Sequence, residues 1–223
     1  MSVKMEDYSS EDVEDLLLKI EDSLNIEFKD NELAHIRTLG ELCDYIVNKM
    51  ELEQKDDCTS QQAFYKLRQA TSASLGVNSK DILPHTELTG ILPRKNRRKN
   101  VRKIESILGF NLPILHPPEF VTLSLAFLLL VSIVAMFFNA VAGIAGIVFI
   151  IATTKIANKY GKELKAKTIR EVVELMTRER YIHARRYSNT YNRNEIENVV
   201  FDMFRHHLLI DEAELTRDIQ LAQ

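Results

Sequence analysis

From Phe120 to Thr154 the chain carries no charged side chain, and this run constrains the fold more than any other feature. As a single helix rising 1.5 Å per residue it would be roughly 52 Å long, against a bilayer hydrocarbon core of about 30 Å. Two helices fit better. A break at Asn139-Ala140-Val141-Ala142-Gly143 leaves roughly 17 to 19 residues in the first arm and about 12 to 15 in the second, with Gly146 thinning the latter. Lys155 and Lys159 can extend the shorter arm by snorkelling. A buried hairpin of a soluble bundle would show a polar face, and none is visible.

The flanks orient this hairpin. Arg94, Lys95, Arg97, Arg98, Lys99, Arg102 and Lys103 form a belt with no acid between them, and Lys155, Lys159, Lys162, Lys165, Lys167 and Arg170 follow the run. Basic residues close to a span stay cytoplasmic, so two basic ends call for two spans with both termini inside, in a bacterial-type inner (plasma) membrane. The belt is expected to meet anionic lipid headgroups. A nucleic-acid patch is the competing reading of the same charges. The belt has no interleaved aromatic residues for stacking and lies close to the first span, so no nucleic-acid partner is expected.

A formal charge of -3 hides an uneven layout, with an acidic head over residues 1–57, a basic middle and a mixed tail. Two cysteines, Cys43 and Cys58, with no secretory leader at the N-terminus, fit a reducing compartment without a disulfide. Cys43 falls on an apolar helix face and Cys58 in a polar linker.

The head is the best-patterned soluble segment. Val13, Leu16, Leu17, Ile20 and Leu24 recur at helical spacing after a start at Ser9 or Ser10, with acids in the first turn. Asn25-Ile26-Glu27-Phe28 reads as an extended link, and Asp30-Asn31-Glu32-Leu33 as the start of a single helical turn. Thr38-Leu39-Gly40-Glu41 is a capping box that opens a helix with Leu39, Leu42, Cys43, Ile46, Val47 and Met50 on one face.

The stretch VEDLLLKIEDSLNIEFKDNELAHIRTLGELCDYI resembles the second half of an acyl carrier protein: a long helix, an extended link, a short helix and a closing helix. In that family a serine at the start of the long helix receives a 4'-phosphopantetheine arm. The family's spacing back from Thr38 points to Ser10, whereas Ser23 in Asp22-Ser23-Leu24 lies at the wrong end of the helix. Ser10 stands in Ser9-Ser10-Glu11 and departs from the family's Asp-Ser-Leu at both neighbours. The resemblance therefore implies either an unmodified, carrier-like binding domain or a true carrier with phosphopantetheine on Ser10. It also implies that Glu11, Asp12, Glu14, Asp15, Glu21 and Asp22 would meet a basic patch on a protein partner.

The tail, Asn194 to Asp218, puts Ile196, Val199, Val200, Met203 and Phe204 on one helical face and resembles the first helix and loop of the same family. It would complete a permuted bundle if it docked on the head. Between head and hairpin, Gln61 to Leu75 reads as a helix with Ala63, Phe64, Leu67 and Ala70 inward, followed by a turn at Leu83-Pro84 and a short helix ended by Pro93. Arg98 to Leu108 carries Val101, Ile104, Ile107 and Leu108 on one face and basic residues on the other, an amphipathic helix suited to the membrane surface. Beyond the run, Ile156, Tyr160, Leu164, Ile169, Val172, Val173 and Met176 continue a helix out of the membrane.

Catalytic patterns are weak. The histidines at 35, 85, 116, 183, 206 and 207 have no metal-ligand spacing, and no Gly-rich phosphate loop or Gly-x-Ser-x-Gly elbow occurs, so neither metal nor catalysis is expected. Nothing charged lines a path through the apolar run, which argues against a transporter.

The chain is thus expected to be all-α: a carrier-like domain over residues 1–52, a helical linker with the basic belt over 53–116, a transmembrane hairpin over 117–156 and amphipathic cytoplasmic helices over 157–223. It would bind partners, in acyl or lipid metabolism, without being an enzyme. A purely structural membrane scaffold is the remaining alternative.

Overall fold

A computed structural model of the chain describes residues 10–29 and 31–221, the side chain of Ser10 excepted. The order is α1 (Ser10–Leu24), α2 (Leu39–Lys49), β1 (Glu53–Gln54), α3 (Thr59–Leu75), α4 (Leu88–Ile91), α5 (Arg97–Leu108), β2 (Leu115–His116), α6 (Glu119–Phe138), α7 (Ala140–Tyr160), β3 (Glu163–Leu164), α8 (Ile169–Glu179), α9 (Tyr181–Ala184), β4 (Thr190–Tyr191) and α10 (Arg193–Leu208). The described residues are mostly helical, and the four strands are two-residue pairings. Two units divide the chain, residues 1–70 with 170–223 and residues 71–169.

In the first unit α1 buries Leu16, Ile20 and Leu24 completely, four residues apart on one face. It stops at Asn25, whose φ of 52° no helix can continue. The single helical turn expected from Asp30 begins outside the described residues, and residues 31–35 form an irregular turn with Asn31 at φ 62°. Two contacts close that turn: the Glu32 carboxylate accepts from the Lys29 N–H at 2.7 Å and pairs with Lys49 at 2.6 Å.

The capping box of α2 is present. Thr38 Oγ1 accepts from the Glu41 N–H at 3.2 Å, and the Glu41 carboxylate accepts from the N–H groups of Thr38 and Arg37. Leu39, Leu42, Cys43, Ile46 and Val47 are buried, and burial pushes the Cys43 thiol up to about 12.

Head and tail share this core. Ile196, Val200, Met203 and Phe204 of α10 are fully buried against α1 and α2. The segment after α10 then returns to the start of α2. Leu39 N–H donates to Ile219 O at 2.9 Å, Gly40 N–H to Arg217 O at 2.8 Å, and Leu221 N–H to Arg37 O at 2.8 Å. Gly40 permits this approach, because a Cβ there would sit 3.0 Å from Arg217 atoms. Nearby, β1 and β4 pair in parallel.

The second unit contains the uncharged run. Asn139 alone separates α6 from α7, and its Oδ1 accepts from the N–H groups of Val141 and Ala142 at 3.1 and 3.2 Å. The second arm is therefore a full helix of 21 residues, not the shorter arm the glycines suggested. Gly143 and Gly146 lie inside it, where a Cβ would collide with Met136 and Ser132 of α6. They set close helix packing instead of a loop. Both helices are long and apolar enough to cross a membrane.

The helix expected to continue from Ile156 to Met176 is also broken. It ends at Tyr160, because Gly161 runs against the His116 and Pro117 backbone and β3 turns to pair antiparallel with β2. Lys165 N–H donates to Ile114 O at 2.8 Å just beyond this ladder. The two ends of the apolar pair are thereby tied together.

Among the two cysteines, a maleimide should label exposed Cys58 quickly and buried Cys43 only on unfolding. Phe204→Ala should cost about 3–5 kcal/mol by leaving a cavity in the shared core. Mass spectrometry of the labelled protein should show Cys43 becoming reactive in that variant well below denaturing conditions, and unchanged Cys43 protection would refute the shared core.

Candidate functional site

Basic residues of α5 meet the base of the apolar pair within the second unit. Arg97 is the strut. Its side chain is 7% exposed, its Nε donates to Leu92 O at 2.9 Å, and its Nη1 donates to Lys162 O at 2.6 Å. Glu163 lies 3.9 Å from Arg97 and binds Arg94 at 2.5 Å. Lys162 is thus held against the first turn of α5, only two residues beyond the end of α7. On the same side the Arg98 guanidinium stands 4.9 Å from the centre of the Tyr160 ring, the last residue of α7.

The result is an open groove of about 520 Å³ lined by Lys95, Asn96, Arg98, Lys99, Arg102, Lys103, Ser106 and Lys162. Of the seven belt cations, Arg97 is buried in the fold, Arg94 pairs with Glu163 at the surface, and the other five face the groove. Lys162 joins them from the far side of the apolar run, a neighbour the linear sequence could not supply. Of the apolar face expected at a membrane surface, Val101, Ile104 and Leu108 are instead buried in the protein and seat α5, while Ile107 is 50% exposed.

The outer surface of the apolar pair is dominated by large apolar side chains. Phe120, Leu123, Phe127, Leu130, Val141, Val148 and Phe149 are all exposed. Thr122, Ser124 and Thr153 return their hydroxyls to carbonyls three or four residues earlier, so they present no unmet polar group.

In the first unit, Ser10 is the first described residue of α1, and its side chain lies outside the described residues. Along the acidic face of α1, Glu11, Glu14 and Asp15 are exposed. Glu21 instead accepts from the Phe28 N–H, and Asp22 pairs with Arg180. Among the described residues no group of three or more His, Cys, Asp or Glu could hold a metal.

A second polar cluster in this unit escaped sequence reasoning. The Arg185 side chain is fully buried and donates to Lys55 O, Asp57 O, Thr59 Oγ1 and Thr190 Oγ1 at 2.5 to 3.2 Å. Glu195 accepts from the Thr59 N–H at 3.0 Å and the Tyr181 hydroxyl at 3.0 Å, and burial pushes the Tyr181 pKa up. A cavity of about 360 Å³ opens beside it, lined by Thr59, Ser60, Arg178, Tyr181, Glu195 and Asp202 among others. Arg178 there is paired with Asp202 at 3.2 Å. These charges answer one another, so the cluster holds β1, β4 and the start of α3 together and leaves no cation for a ligand.

No protein-family model matches the sequence, and no curated protein or solved structure is significantly similar to it.

Arg185→Lys keeps the charge but loses the fork that reaches four oxygens, and should destabilise the first unit by about 2–4 kcal/mol. Arg186→Lys, one residue on and exposed, should stay within about 0.5 kcal/mol. Chemical denaturation of the two variants checks the contrast.

Proposed function

We propose that this is a membrane-anchored, acyl-carrier-like protein that works by binding partner proteins and is not itself an enzyme. One observation carries the anchor: two adjacent helices of 20 and 21 residues turn their apolar side chains outward while basic α5 stands at their joined base. Water would oppose so large an apolar surface, whereas a bilayer would accept it and place Tyr160 and the groove at headgroup depth. Two spans return the chain to its starting side. The first unit is interrupted by the second, so an even number of crossings keeps both of its parts in one compartment, the cytoplasm by the positive-inside rule.

The carrier-like reading of the first unit is supported by α1, the capped α2 and the tail helix α10 sharing one core. In this reading α10 serves as the carrier's first helix, reached by permutation, and the exposed acids of α1 meet a basic partner from acyl or lipid metabolism. The chain should resist carbonate extraction, and release into the soluble fraction would overturn the anchor. A membrane-impermeant maleimide should reach Cys58 in inverted inner-membrane vesicles and not in intact cells. The reverse labelling would overturn the cytoplasmic orientation.

A second reading rests on Ser10 being the first described residue of α1, near the position a carrier serine takes. Incubation with a phosphopantetheinyl transferase and coenzyme A separates the two. An unchanged intact mass is expected from an unmodified binding domain. A gain of one phosphopantetheine arm, abolished by Ser10→Ala, would make the chain a true carrier.

A further inference from the structure

We propose that the groove on α5 is a site for a phospholipid headgroup bearing more than one phosphate; this rests on the membrane reading and adds the class of lipid. Six cations line the groove, Lys95, Arg98, Lys99, Arg102, Lys103 and Lys162, and no acid does. Glu163, the acid adjoining Lys162 in the chain, is already held by Arg94 at 2.5 Å. Among the described residues, no ion pair joins any of the six to a carboxylate. A surface of like charge gathered this closely is self-repelling until an anion occupies it.

The helix itself points to the same ligand. α5 begins with Arg97, Arg98 and Lys99, has no acid in its first turn, and its N-cap Asn96 makes no side-chain hydrogen bond to the helix. The positive end of a helix dipole favours anions and disfavours cations. A phosphate resting there would answer both the exposed N–H groups and the basic side chains. Three features thus converge on one place: an uncapped helix start, unpaired cations and an open volume of about 520 Å³.

Size and position decide the ligand. That volume falls within the usual range for drug-sized ligands, about 300–1,000 Å³, and leaves room for two phosphates with their linker. Lys162 lies just past the end of α7, and Arg98 stacks on Tyr160 at that end, so acyl chains can run beside the apolar helices while the headgroup sits in the groove. A nucleic acid would need successive stacking surfaces, and the groove lining has none, the single ring beside it, Tyr160, being covered by Arg98.

The test uses the full chain purified in neutral detergent and native mass spectrometry with diphosphatidylglycerol or phosphatidylglycerol at equal lipid phosphate. Retention of diphosphatidylglycerol should be about tenfold the stronger. It should fall to the phosphatidylglycerol level in an Arg98→Gln, Lys99→Gln, Arg102→Gln variant and stay unchanged in Arg186→Gln, Arg193→Gln. The lipid preference is read on the unaltered chain and so does not depend on the triple variant folding. Equal retention of the two lipids overturns the proposal, as does a folded triple variant with unchanged preference. Stronger retention of inorganic pyrophosphate or of a short RNA overturns it too, in favour of a soluble ligand. Carbonate extraction distinguishes the two levels: a chain that resists carbonate yet shows no lipid preference loses only this site, while one that carbonate releases loses the anchor beneath it.

Discussion

The uncharged run pairs its backbone groups along two helices and leaves them unpaired at the ends, and the second unit is organised around closing those ends. At the tip, Asn139 caps α7 with its side chain, so the chain reverses with a single non-helical residue. At the base, β2 and β3 pair with each other and Arg97 takes the carbonyls of Leu92 and Lys162. The devices at the base thereby also fix the neighbours of the apolar pair, and the groove on α5 exists because Arg97 holds Lys162 to the first turn of that helix.

The first unit solves a different problem. The head alone offers two helices and an irregular turn, too little apolar surface to close a core. α10 supplies Ile196, Val200, Met203 and Phe204, and the segment after it caps the join through Arg217, which pairs with Asp44 and Glu197. Packing of segments so distant in sequence costs loop-closure entropy, but that cost grows only slowly with loop length, so an inserted unit between them is tolerated.

Much of this was legible in the residues, and the reasons differ by element. The capping box at Thr38 is local chemistry, readable from two residue types three apart, and it is present as read. The faces of α1, α2 and α10 follow from spacing alone. The break after Tyr160 is not legible in the residues, because a contact from elsewhere, the His116 and Pro117 backbone, overrides the local pattern. Gly143 and Gly146 misled for a related reason. Glycine marks a loop or a close approach equally well in one dimension, and only the facing Met136 and Ser132 decide between them.

Sequence by itself determined the helical character of the chain, the two-helix division of the apolar run and the concentration of positive charge beside it, since periodicity, hydrophobic length and charge order are properties of neighbours along the chain. Tertiary structure decided which charges are free. Arg94, Arg97 and Arg185 look in sequence like any other arginine, yet each is engaged by carbonyls or carboxylates brought from more than sixty residues away. The five remaining belt cations and Lys162 are left facing the groove. For buried Arg97 and Arg185 the cost of an unpaired charge forces the pairing, whereas exposed Arg94 is simply met by Glu163, and each outcome is settled only when distant segments meet.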